Sequence, residues 1–417
     1  MKTKFILLAL LMIMLLPEIG FPYPYDGYAI TGIRRLYRLE LIMSGALQGT
    51  KPKPGMMKPL KSVKLNLPGE KGKALDQLPA PDTDLQKAIN TLFPNMDESY
   101  SIAILDITPG KKIRYARRQE NRGFMPGSVA KLAVMAGLFT ELSKLYPDSF
   151  EKRQELMKNR MVRGGKWSVH DSHTVPFFDP KTKNSFKRAI QESDTFNLYE
   201  WADHMISASN NGAASVVWKE ALLMRAFGKS YPPTPQQEAD FFKNTPRATL
   251  TEMAVAVVNE PLQAIGINKE EFRLGSFFTN GAKSIITGSG GSSASPYGLI
   301  KYLIAMEQGK IVDEKSSLEM KRLLFTSDRR IRYASAGVLA DAAVYFKSGS
   351  LYKCKPEDGY TCEKYMGNVE NYMNSVAIVE HDDGTIYMVA LMSNVLKKNS
   401  SSDHYGLAAQ IDRIIRK

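Results

Sequence analysis

The strongest constraint on this chain is a pair of β-hairpin signals set at opposite ends of a long helical stretch. The first lies in SIAILDITPGKKIRYARR: Ile102, Ile104 and Leu105 fall in an apolar strand, Pro109-Gly110 makes the turn, and KKIRYA returns. The second is NSVAIVEHDDGTIYMVALMSNV, turning at Asp383-Gly384, with the strand AAVYFKSGSLY before it and the amphipathic segment HYGLAAQIDRIIRK after it. Between them KLAVMAGLFTELSKLY opens an apolar helix near Ser128. Helical spacing continues to about Arg322, broken by loops near 231–235 and 287–296. The order is two strands, a helical insert, three strands and a helix. It predicts an α+β fold: a sandwich lobe whose antiparallel sheet is flanked by helices, and a second, all-helical lobe. The cleft between two such lobes is where a small-molecule site is expected.

What precedes the first hairpin divides in two. Lys2 and Lys4 lead into FILLALLMIMLL, Phe5 to Leu16, closed by Pro17 and Glu18. Twelve helical residues rise about 18 Å, short of the ~30 Å hydrocarbon core. Residues 1–20 therefore read as a signal peptide, or an uncleaved anchor, of an exported protein, periplasmic or extracellular. Residues 21–83 are rich in Pro, Gly and Lys and read as a basic extension that tethers or wraps, with one ordered piece near Ile33 to Leu47. Regular structure is expected from Asp84, so residues 84–417 form the main domain, with the sheet lobe at 84–126 and 336–417 and the helical lobe at 127–335.

The 56 Lys and Arg exceed the 43 Asp and Glu, a formal charge of +13. Such a surface suits an anionic cell-wall polymer or membrane surface. The chain has no RNA-binding signature and no Cys/His finger, so a nucleic-acid partner is not expected. Its two cysteines, Cys354 and Cys362 in CKPEDGYTC, are too few for a zinc site and not spaced as C-x-x-C. In an exported protein they read as a disulfide bracing a hairpin tip.

Three short motifs carry the chemistry. In Ser128-Val129-Ala130-Lys131 the serine and lysine share one helix face. A desolvated, neutral lysine there can take the hydroxyl proton as the serine attacks a carbonyl. Taken alone the pattern is weak, since S-x-x-K arises by chance about twice in a chain of this size. In Ser209-Asn210-Asn211 a hydroxyl and an amide project side by side from a turn, which also suits an N-cap. Lys347-Ser348-Gly349-Ser350 places positive charge and two hydroxyls on a strand whose glycine permits close approach of another backbone.

In this order SVAK, SNN and KSGS resemble the S-x-x-K, S-x-N and K-[ST]-G set of the serine β-lactamase and penicillin-binding-protein superfamily. The resemblance runs from about Asp84 to Lys417 and includes the leading hairpin, the closing hairpin and helix, and SSASPYGLIKYLIAMEQGKIVDEKSSLEMKRLL. It implies a β-lactamase/transpeptidase-like fold and no cofactor or metal. It implies Ser128 as nucleophile, Lys131 as its base, and the backbone N–H groups of Ser128 and Ser350 as oxyanion hole. Ser209 would relay the proton to the leaving nitrogen, Asn211 would bind the acyl-side amide, and Lys347, Ser348 and Ser350 beside Gly349 would hold a carboxylate. The implied substrates are a β-lactam or a peptidoglycan stem peptide ending in D-Ala-D-Ala.

The pattern departs at deacylation. Class A β-lactamases carry a glutamate between the second and third motifs, in a pattern like E-x-x-L-N. The nearest text here is Glu271-Phe272-Arg273-Leu274-Gly275, with glycine in place of asparagine, and no acid stands between Gly275 and Pro296. Glu271 is thus a weak candidate for activating the deacylating water, and a long-lived acyl-enzyme is expected. His170, Asp171 and His173 read as a polar loop rather than a metal site. Trp167, Phe177 and Phe178 read as core, or else as the cleft mouth.

Overall fold

The computed structural model describes residues 25–169, 171–325 and 330–417; the segment read as a signal peptide and His170 lie outside the described residues. Five strands make the main sheet: β1 (Ser101–Asp106), β2 (Arg114–Arg118), β3 (Ala343–Lys353), β4 (Glu370–Glu380) and β5 (Ile386–Asn394). Their order is β2-β1-β5-β4-β3, antiparallel throughout. The pairing of Ala103 with Ala390 joins the two hairpins that the helical lobe separates in sequence. Strand side chains alternate between faces. Ile102, Ile104, Val389 and Leu391 pack on one side, and Ala103, Leu105, Met388 and Ala390 on the other. Both faces are covered, which is why these strands read as continuous apolar runs.

The helices that position the site are α1 (Arg34–Met43), α2 (Thr83–Asn90), α3 (Lys131–Leu145), α4 (Leu198–Ile206), α5 (Asn211–Phe227), α6 (Arg247–Ala264), α7 (Pro296–Glu307), α8 (Glu314–Leu324) and α9 (Ser401–Arg416). Leu85 and Ile89 of α2 and Leu407, Ile411 and Ile415 of α9 cover one sheet face. Helix α7 covers the other. Helix α3 is apolar on all sides, and Leu132, Val134, Met135, Leu138 and Leu142 are buried, as a central helix requires.

The insert is not helical throughout. Thr174–Phe178 pairs with Ser185–Ala189, Met161–Arg163 with Thr195–Asn197, and Phe272–Arg273 with Ser293–Ala294. Pro176 hides the first of these in the sequence, and a two-stranded ribbon tolerates it because both of its strands are edges. Trp167 and Phe178 are buried, while Phe177 stacks on Phe186 with centroids 5.0 Å apart.

The extension lies across both lobes. Leu36 and Leu39 of α1, with Val63, Leu67 and Leu75, are buried in the larger core. Arg35 forms a buried pair with Asp203 at 2.6 Å, and Arg34 reaches Glu200 at 3.0 Å. Further on, Lys58 meets Glu380 at 2.8 Å, and the Asn66 amide side chain donates to Glu380 at 2.7 Å. Glu200 and Asp203 belong to the helical lobe and Glu380 to the sheet, so this strap ties the two together. Among the described residues, no helix is long and apolar enough to cross a membrane.

Candidate active site

The cleft between the lobes has a volume of about 590 Å³ and is lined from every motif: Ser128, Ser209, Asn211 and Lys347 to Ser350 all face it. Ser128 sits in a single 3-10 turn, Gly127–Ala130, that feeds directly into α3. Gly127 has φ +53°, and a Cβ there would lie 2.7 Å from the Ser350 nitrogen. From the other side, a Cβ on Gly349 would lie 2.1 Å from the Pro126 carbonyl oxygen and 3.1 Å from the Ser128 nitrogen. Glycine at both positions lets the nucleophile turn and β3 touch backbone to backbone. The Ser128 and Ser350 N–H groups are thereby brought onto adjoining segments, where an oxyanion hole needs them. Asn374 of β4 holds the approach, donating its amide to the Met125 carbonyl at 2.9 Å.

The second motif divides its labour. Asn210 caps α5, its side chain accepting from the Ala213 N–H at 2.7 Å. That leaves Asn211, the first helical residue, and Ser209, held at φ +58°, to face the cleft. The third motif meets the second where Lys347 Nζ donates to Ser209 Oγ at 2.8 Å.

Lys131 is the hub. Its Nζ lies 2.9 Å from Ser128 Oγ, 2.5 Å from the Ser209 carbonyl oxygen and 2.7 Å from Asn211 Oδ1. The Phe278 ring covers it at 5.1 Å. Burial pushes the amine down to about 7, and the Asp171 charge opposes that fall only in part. A lysine that titrates near neutral pH, in contact with a serine hydroxyl, is the arrangement that activation of a nucleophile requires.

Several contributors were not legible as motifs. Arg332, with φ +52°, donates to the Gly349 carbonyl at 3.0 Å and to Ser350 Oγ at 3.1 Å. Asp171 sits behind Asn211. His173 lines the cleft, and its Nδ1 lies 2.6 Å from the Asp171 carboxylate. Only the crowding of polar residues in WSVHDSHT hinted at this loop. Trp167, Phe177 and Phe178 do not line the cleft. Nor does Glu271, whose carboxylate pairs with Lys301 at 2.7 Å and accepts from the Asn268 N–H at 3.0 Å. The deacylation role considered for it is therefore corrected: the turn at Asn268 and the lysine on α7 hold it outside. Cys354 and Cys362 form a disulfide, Cα to Cα 6.2 Å, beyond the end of β3.

Residues 244–416 match the family described as the β-lactamase enzyme family, a span that holds Lys347 to Ser350 but neither Ser128 nor Ser209. No curated protein sequence matches the chain. Among solved structures, that of PBP-A is similar over 81% of this chain and 97% of its own, at 14% identity and a TM-score of 0.50. The TLA-3 extended-spectrum β-lactamase is similar over 80% and 97%, at 11% identity and a TM-score of 0.50. At these identities the likeness to the two structures is one of fold. Residues 244–416 are thus similar to the β-lactamase enzyme family and the chain shares the fold of these two proteins, with its ordered motifs meeting at one lysine as a serine hydrolase of the β-lactamase type requires.

Proposed function

We propose that Ser128 is acylated by a β-lactam or by a stem peptide ending in D-Ala-D-Ala, and that it is released slowly. The observation that carries this is the 2.9 Å contact between Ser128 Oγ and an amine held near neutrality. Lys131 takes the hydroxyl proton as Oγ bonds to the carbonyl carbon, and the Ser128 and Ser350 N–H groups receive the negative oxygen. Ser209 passes a proton to the departing nitrogen. Asn211 holds the acyl-side amide, and Lys347, Ser348 and Ser350 hold the carboxylate. The cleft suits such an anion: His173, Lys283, Arg332, Lys347 and Lys364 line it, and among the described residues no carboxylate side chain does.

That absence favours a peptidoglycan peptidase inhibited by β-lactams over a rapid β-lactamase. We propose that it acts outside the cytoplasm, where the apolar run of Phe5 to Leu16 and the Cys354–Cys362 disulfide both fit. Labelling with a fluorescent penicillin, followed in time, tests the whole reading. Persistent label that Ser128→Ala abolishes, with D-Ala released from a muropeptide, is the expected result. Rapid loss of label with nitrocefin turnover would make it a β-lactamase, and stable label without peptidase activity a sensor. A wild-type chain that never labels defeats acylation at Ser128 altogether.

A further inference from the structure

Lys131 has three polar neighbours that differ in kind. The Ser209 carbonyl oxygen and Asn211 Oδ1 only accept hydrogen bonds, whereas the Ser128 hydroxyl also donates. A neutral amine has two N–H bonds and one lone pair. With both N–H groups given to the pure acceptors, the lone pair is left to the Ser128 hydroxyl, which is the alignment a general base needs. This alignment depends on which end of the Asn211 amide faces Lys131. Turned over, Asn211 would present its NH2 group, donate into the lone pair and disarm the base.

Asp171 lies where it can select that orientation. Its carboxylate only accepts, and it takes two donors from Asn211: the backbone N–H, and Nδ2 at 3.3 Å. The carboxylate is itself anchored, its side chain 4% exposed and bonded to His173 Nδ1 and the His173 backbone N–H. Burial pushes the Asp171 carboxyl up, but the bonds from His173 and Asn211 outweigh it and keep the group ionised. We propose that Asp171 is a positioning residue of acylation, locking the Asn211 amide so that Oδ1 faces Lys131 and the amine lone pair faces Ser128. The inference rests on the acylation reading above.

The carboxylate has a second effect on the same amine, because its charge favours the ammonium form of Lys131. The other charged groups around them are His173 on the Asp171 loop, Lys347 of β3 across Ser209, and Lys283, Arg332 and Lys364 farther along the cleft. The lysines and the arginine among them are cationic and oppose a charged Lys131. Asp171 is the anion set against them.

The test is the rate of fluorescent-penicillin acylation against pH for wild type, Asp171→Asn and Asp171→Ser, with a thermal melt of each. Both variants free the Asn211 amide to turn and remove the anion. The plateau rate is expected to fall roughly tenfold, the equivalent of one displaced hydrogen-bond geometry. The acidic limb is expected to move to lower pH by roughly half to one unit, because the amine loses a neighbour that favours its protonation. Asp171→Glu, which keeps the charge, is expected to return the limb toward its wild-type position. Unchanged plateau and limb overturn the proposal. So does a lower plateau with an unmoved limb and a lower melting temperature, which would make Asp171 merely structural. If Asp171→Asn does not fold, Asp171→Ser is judged on the same readouts. Failure of the wild type to label at any pH strikes the acylation reading itself and is seen without any variant.

Discussion

Lys131 in the cleft and Lys321 beneath the strap are both fully buried, and burial acts against the ammonium form of each. Their surroundings then part them. Lys321 touches the carboxylates of Glu307 at 2.5 Å and Glu380 at 2.7 Å, and donates to the Lys64 carbonyl at 2.6 Å. Burial would lower it, but the two carboxylates outweigh burial and raise it above the ordinary lysine range. Lys131 touches uncharged oxygens only, its nearest anion stands behind Asn211, and it falls to about 7. Contact with a carboxylate, not depth, separates a lysine kept charged from one whose amine can be neutral near pH 7.

The sharpest way to break this comparison is to remove each ammonium in turn. Lys131→Met should cut penicillin acylation by about 10²- to 10⁴-fold, the range for a lost general base, while the melting temperature holds or rises. A melting temperature that collapses with the activity would make Lys131 structural after all. Lys321→Met should do the reverse. It leaves Glu307 and Glu380 without their shared cation and should lower unfolding free energy by about 3–5 kcal/mol in denaturant titration, with the acylation rate of the folded fraction preserved.

Acidity sharpens the contrast further. Below about 7 the Lys131 base is protonated, so acylation should fall about tenfold per pH unit, and Lys321→Met should leave that limb in place. Stability moves oppositely at the two sites. With its folded value depressed, Lys131 disfavours the folded state at low pH, and this burden lifts as pH rises from about 7 toward the ordinary lysine value of 10.5. With its folded value raised, Lys321 contributes stability that is complete below the unfolded lysine pKa and is lost as pH climbs through its own. The smallest effect is expected at Glu271→Gln. Its carboxylate serves Lys301 outside the cleft, so release of bound penicillin should change by less than about twofold. A large slowing would return Glu271 to the mechanism.

The same contrast explains what the sequence revealed. Ser128, Lys131, Ser209 and Lys347 were legible because short fixed spacings set them in three motifs that follow one another in a known order. The sheet was legible because its strands alternate or run apolar between clear turns. Lys321 was not, because Glu307 and Glu380 reach it from separate elements and no spacing links the three. Arg332 was hidden similarly, since a positive φ at an arginine leaves no mark in the sequence. The α1 piece of the extension could be read from its periodicity, but its ion pairs with Glu200 and Asp203 could not. Asp171 was visible only as one polar residue among several, because its importance lies in which end of a neighbouring amide it selects.

The sheet order has a consequence for timing. Strand β3, with Lys347 to Ser350, is joined to β1 only through β4 and β5, which are made after it. Ser128 and Lys131 therefore leave the ribosome long before β3 has its partner strand β4 to pair with. Contacts so distant in sequence form slowly, so a nascent chain carries Ser128 and Lys131 before the cleft around them is complete. Penicillin reactivity of a refolding chain is therefore expected only once the final hairpin has closed against the first.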